Sequence, residues 1–176
     1  MRGELNHHKF GTGQHEFQAA TLINRHKLKL KDIVEVIETM SPLEGAVEFL
    51  EWLRSRTPVI ILSDTFVEFA GPLMEKLKWP TLFCNSLTVG SDGTITGYRL
   101  RQTDGKRMAI QALKSLAYNV IAMGDSYNDI TMIREADVGF LYQPPANVSA
   151  EFPDLQVAQN YDGLKHLIRS TIADGR

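Results

Sequence analysis

The sequence predicts an α/β fold, with a parallel sheet covered by helices on both faces. Two continuous apolar runs, Val59-Ile60-Ile61-Leu62 and Val120-Ile121-Ala122-Met123, read as strands buried on both sides. Each run breaks into polar residues and is followed by a helical pattern, the alternation that builds parallel strands with crossover helices. The chain has 176 residues, 43% of them hydrophobic, which is enough for one core.

The elements follow in chain order. Residues 1–13, MRGELNHHKFGTG, carry no periodicity and hold three glycines, so a disordered tail is expected there. Adjacent His7 and His8 do not converge on one ion without further ligands. Phe17, Ala20 and Leu22/Ile23, then Ile33, Val34, Ile37 and Met40, recur at helical spacing and predict helices over about 14–27 and 31–40. The basic patch His26–Lys31 between them reads as a solvated turn. Ser41-Pro42 stops the second helix and opens another, whose apolar face is Leu43, Val47, Leu50 and Leu53. After the Val59–Leu62 strand a helix runs through Phe66, Phe69, Leu73 and Leu77, and Pro80 blocks it. Thr81–Cys84 predicts a short strand, and Leu87–Val89 with Ile95–Tyr98 a hairpin about Ser91-Asp92-Gly93-Thr94. A helix at 104–117, the Val120–Met123 strand, a helix from Asn128 to Glu135, a strand at Val138–Tyr142 and a closing helix at Tyr161–Ile172 complete the pattern.

Composition narrows the function. Nineteen Lys and Arg against 21 Asp and Glu leave a formal charge of −2, so no global field attracts nucleic acid or an anionic membrane. No run approaches the roughly 18–20 apolar residues of a membrane span, and Met1–Gly13 has no apolar signal-peptide segment. The lone Cys84 suits a reducing compartment, and a cytoplasmic protein is expected.

In open α/β sheets, ligands sit beyond the carboxyl ends of the strands. Two strands deliver polar residues there: Ser63-Asp64-Thr65, and Gly124-Asp125-Ser126-Tyr127-Asn128-Asp129. Asp125 projects from a strand end and Asp129 lies one helical turn on, an arrangement suited to Mg²⁺, which prefers oxygen ligands. The alternative is that Asp125 or Ser126 merely caps the following helix. Ser63 lacks the Gly-x-Ser-x-Gly elbow of a nucleophilic serine, but at a helix start it offers a hydroxyl to phosphate. Lys106 opens a helix, against the preference of the helix dipole, which suggests service to an anion.

Ser63, Lys106 and GDSYND at 124–129, in that order, match three of the four motifs of the haloacid dehalogenase superfamily. LEGAVEFLEWLR, VIILSDTFVEF, PLMEKLKWPTLFCN, GYRLRQTDGKR and VIAMGDSYNDITM resemble its bifunctional phosphoserine phosphatase/homoserine phosphotransferase branch, from about Leu28 to the last helix. The resemblance implies a Rossmann-like three-layer α/β/α parallel sheet with a small helical cap. Residues 14–42 would be a remnant of that cap and 43–176 the core. It implies Mg²⁺ on Asp125, and a supporting shell for metal and substrate from Asn128 and Asp129. The phosphoryl group would lie against Ser63, Asp64 and Thr65, with Lys106 neutralising its charge and that of the nucleophile. Lys106 and Asp129 are the expected catalytic residues.

The family's first motif, a strand ending in Asp-x-Glu whose Asp is the nucleophile, is not found in this sequence. The chain is therefore expected to begin inside the cap, to leave a one-strand gap between 58–63 and 120–124, and to be inactive as it stands. An arginine that grips the substrate carboxylate is expected near Ala19–Thr21, where Arg25 is out of register. The leading expectation is a Mg²⁺-dependent phosphatase or phosphotransferase on a small phosphomonoester such as phosphoserine. The second is a catalytically dead phosphate- or metal-binding protein, or an interaction protein that dimerises, whether as a homodimer or with a longer relative. A receiver-like domain is disfavoured because it leaves Ser63 and Lys106 unexplained.

Overall fold

The structure, a computed structural model, describes residues 29–173. The expected tail at 1–13, the helix at 14–27 and the Ala19–Thr21 and Arg25 positions lie outside the described residues. The expected 31–40 helix is α1, Leu30–Thr39. It packs on α3, Val67–Lys76, and its carbonyl end receives the Lys76 ammonium through the carbonyls of Glu38 and Met40. The next helix, α2, begins at Ala46 rather than at Pro42. Gly45 sets that start: its φ is +80°, and an added Cβ would meet the Tyr161 ring at 3.1 Å.

Strand β1 spans Ile60–Phe66 and runs past the polar residues instead of ending at Leu62. Thr65 and Phe66 favour extended backbone, and Phe66 is buried edge-on against Phe69 and Tyr98, so the helix starts only at Val67. Thr81–Cys84 and Leu87–Val89, expected as separate strands, are one strand, β2, Thr81–Val89. Its first half pairs parallel with β1, and its second half pairs antiparallel with β3, Ile95–Arg99. The hairpin turn sits where expected, with Gly93 at φ +83°.

Helix α4, Gly105–Ser115, leads to β4, Ile121–Gly124; α5, Tyr127–Glu135; and β5, Val138–Tyr142. Two short elements, α6 (Ala146–Glu151) and β6 (Gln156–Ala158), were not anticipated, being too short to carry a periodicity. Helix α7, Tyr161–Ala173, closes the described chain. Among the described residues no helix is long and apolar enough to cross a membrane.

The strands form two sheets rather than one. One is β1-β2-β3; the other is β4-β5-β6, parallel throughout. Among the described residues no strand pairs with β1 on its side away from β2, nor with β4 on its side away from β5. The second sheet is the middle of three layers. Phe140 faces Phe49, Leu53, Leu164 and Ile168 of α2 and α7, while Leu141 faces Ile110, Met132, Ile133 and Val148 of α4, α5 and α6. Helix α4 spans the two sheets, packing on both β1 and α5.

Candidate active site

The carboxyl ends of β1 and β4 and the first turn of α4 meet around one lysine. Lys106 Nζ lies 2.9 Å from Asp64 Oδ2 and 2.9 Å from Asp129 Oδ1. Its side chain is only 14% exposed, so the lysine that the helix dipole disfavours is held by two carboxylates, Asp64 of β1 and Asp129 of the helix that follows β4. Burial works against its charge, yet the hydrogen bonds and charges of Asp129 and Asp64 outweigh that and raise its pKa.

Asp129 is the hub on the β4 side. Its Oδ2 accepts the Asp125 N–H at 3.1 Å, the Ser126 N–H at 3.2 Å and the Ser126 hydroxyl at 3.0 Å. Ser126 is the N-cap of α5 and Asp129 its third residue, so the pair closes a capping box. Burial pushes the Asp129 carboxyl up, but Lys106 and then Ser126 more than reverse this, leaving it below the ordinary value. Gly124 makes the arrangement possible, since an added Cβ would lie 2.4–2.6 Å from Asp129 side-chain atoms.

Asp125 lies at the surface of this cluster, and no protein cation pairs with it among the described residues. Partial burial and then the Asp129 charge push its carboxyl above the usual carboxylate range. Uncompensated negative charge on an exposed oxygen is the chemistry a hard cation relieves. Among the described residues no group of three or more His, Cys, Asp or Glu side chains converges on a metal position. A divalent ion here would take one carboxylate and keep most of its waters, which Mg²⁺ tolerates. The donor set fits that ion.

Ser63, Asp64 and Lys106 also border a cavity of about 320 Å³ between β1, β2 and α4. The Ser63 hydroxyl accepts the Thr65 N–H at 3.2 Å, which leaves its own proton for an anion in the cavity. Thr65 thus acts on Ser63 from within β1, while Asn128 is half-buried in the first turn of α5.

Two cavity residues escaped the sequence reading. Asn85 is buried and donates its amide to the Asp64 carbonyl at 3.2 Å while accepting the Arg101 N–H at 3.0 Å. Arg101 follows β3, with its guanidinium 4.3 Å from the Phe83 ring centroid. An amide inside the apolar strand TLFCNSLTV was the available signal for Asn85; nothing local marked Arg101.

The profile of the haloacid dehalogenase-like hydrolases matches residues 3–137. The chain belongs to that family. Phosphoserine phosphatase ThrH of Pseudomonas aeruginosa is 53% identical over 148 residues, covering 84% of this chain and 72% of the relative. A phosphoserine phosphatase of Pseudomonas syringae pv. tomato is 51% identical over 148 residues, again 84% of this chain but 62% of the relative. The chain thus spans between three-fifths and three-quarters of the length of these relatives. Among solved structures, an apo phosphoserine phosphatase superposes with a TM-score of 0.65 at 25% identity, covering 81% of this chain and 73% of that one. A substrate-bound phosphoserine phosphatase complex gives 0.66 at 24% identity, with 82% and 70% covered, a likeness of fold.

Proposed function

We propose that this chain is a Mg²⁺-dependent phosphoric monoester hydrolase whose substrate is a small phosphomonoester, phosphoserine foremost. The observation that carries the reading is Lys106, largely shielded from solvent at the joint of the two sheets between Asp64 and Asp129, beside a cavity bordered by the Ser63 hydroxyl. Two relatives above 50% identity, both called phosphoserine phosphatases, supply the substrate class.

Phosphoryl transfer is mainly a matter of positioning and of charge stabilisation. Ser63 donates its hydroxyl proton to a phosphoryl oxygen. Lys106 supplies the positive charge, kept protonated and aimed by its two carboxylates. Asp64 and Thr65 hold Lys106 and Ser63 in register, Asn128 lines the α5 side, and Asp129 fixes the turn that presents Asp125. Asp125 would hold Mg²⁺, which offsets phosphate charge when bound. The attacking carboxylate that the resemblance implies, on a strand flanked by β1 and β4, is not among the described residues. The competing reading is that the site binds a phosphate group without turning it over.

Phosphate release from phosphoserine, with and without Mg²⁺, separates the two readings when paired with calorimetric binding of phosphoserine. Mg²⁺-dependent release that falls about 10²–10³-fold in Lys106→Ala supports the hydrolase. Binding that depends on Lys106 with no release supports the second reading, and neither binding nor release removes both.

A further inference from the structure

Lys106 stands two residues after a left-handed turn of the backbone. Asp104, which opens α4, has φ +51° and ψ +45°, a region that glycine enters freely and other residues seldom do. Glycine is the very next residue, yet the left-handed conformation falls on the aspartate. Two side-chain bonds hold it there. One Asp104 oxygen accepts the Thr131 hydroxyl of α5 at 3.2 Å, and the other takes the Arg107 guanidinium of α4. The carboxylate does not cap its own helix. It borders the cavity, where a bare negative charge would repel an anion, and Arg107 offsets that charge.

Lys106 meets Asp129, and Asp104 meets Thr131, so two rungs join the start of α4 to α5, two residues apart on each side. One rung sets a separation; two also set the direction in which α4 leaves its turn. That direction matters to Lys106, whose ammonium reaches Asp64 of β1 as well as Asp129, both at 2.9 Å. A flexible four-carbon stem does not define such a position by itself. Other ties lie about two helical turns beyond Lys106, where Lys114 meets the Glu135 carbonyl and Asp137. They fasten the far end of α4 and leave its start free to turn. Resting on the phosphomonoester reading above, we propose that Asp104 is a positioning residue: by tying the start of α4 to Thr131, it holds the Lys106 ammonium where a phosphate group at Ser63 meets it.

The test uses inorganic phosphate as the probe. Its affinity for the full chain is measured by calorimetry in Mg²⁺, beside the thermal midpoint of each variant. Asp104→Gly removes both side-chain ties while glycine keeps the left-handed backbone without strain, so the midpoint should hardly move. Its phosphate affinity should fall about 5–10-fold, within the worth of one hydrogen bond between charged groups. Thr131→Val, which deletes only the hydroxyl, should weaken phosphate in the same direction. Asp104→Asn keeps an acceptor for Thr131 and tolerates the left-handed region, so it should recover most of the loss. Lys114→Met breaks the far ties and should lower the midpoint with phosphate affinity unchanged. The assignment is overturned if Asp104→Gly binds phosphate as tightly as the unsubstituted protein, or if affinity follows the thermal midpoint across all four variants. Either result leaves the phosphomonoester reading intact. If the unsubstituted protein binds no phosphate, that reading fails and the role of Asp104 fails with it.

Discussion

The two sheets are built to different standards. In β4-β5-β6 the register is regular, and Phe140 and Leu141 of β5 are 2% and 0% exposed, one on each face. In β1-β2-β3 the β1–β2 register slips between Leu62 and Phe66, and of the β1 residues only Phe66 is buried. Strong packing therefore lies behind Asp125 and Asp129, whereas the Ser63–Asp64 side depends on polar ties, Lys106 and Asn85 chief among them. One side of the site is a fixed anvil; the other is held in place by the site's own charges.

The largest expected effect tests that asymmetry directly. Leu141→Ala should cost about 3–5 kcal/mol, the range for an enclosed leucine. Ile61→Ala, the comparable truncation in half-buried β1, should cost only about 1–2 kcal/mol. Urea unfolding of both variants decides it; equal losses would erase the distinction between the sheets.

Next in size is the joint. Lys106→Ala leaves Asp129 buried without its cation and should cost about 3 kcal/mol near neutral pH. The pH profile carries the signature. Asp129 has a folded pKa below its unfolded one, so its contribution is present above the ordinary carboxylate value of about 4 and is lost as pH falls through the folded value. Lys106 has a raised folded pKa, so its contribution is present below about 10.4 and is lost as pH rises through the folded value. The stability difference between wild type and variant should be flat between these limits and shrink at both ends. A difference independent of pH would mean that packing, not charge, is lost.

The smallest effect has the opposite sign. Asp125→Asn removes a carboxylate whose pKa is raised by partial burial and then by Asp129, so the variant should be slightly more stable. Solvent screening at this exposed residue holds the gain to about 0.3–0.5 kcal/mol. It should be present above the raised pKa, vanish below the ordinary one, and coincide with weaker Mg²⁺ binding by calorimetry. A loss of stability would show that the carboxylate supports the turn.

Much of this was legible in the sequence wherever one residue type has one physical use. The continuous apolar runs at 59–62 and 120–123 had to be strands, and the polar residues that follow each one marked the site. Lys106 stood out because it opposes a helix dipole. The end of β1 was misjudged because Ser63-Asp64-Thr65 looks like a cap, and only the burial of Phe66 keeps the chain extended. β6 escaped because three residues have no pattern, and its place is set by pairing with β5. The Asp64–Lys106–Asp129 bridge joins positions far apart in the chain, and local spacing cannot reveal such a contact.

Asn85 has a further consequence, for the chemical ageing of the protein. Its two backbone partners have fixed polarity, a carbonyl at Asp64 and an N–H at Arg101, so the amide fits in one orientation only. An aspartate of the same shape keeps the acceptor for Arg101 but turns an oxygen toward the Asp64 carbonyl. Asn85 precedes Ser86, and hydrolysis of its amide makes that very exchange without any change of gene. That exchange would remove the tie between β1 and the segment that follows β3, while the pairing of β1 with β2 and the Asp64–Lys106 contact remain.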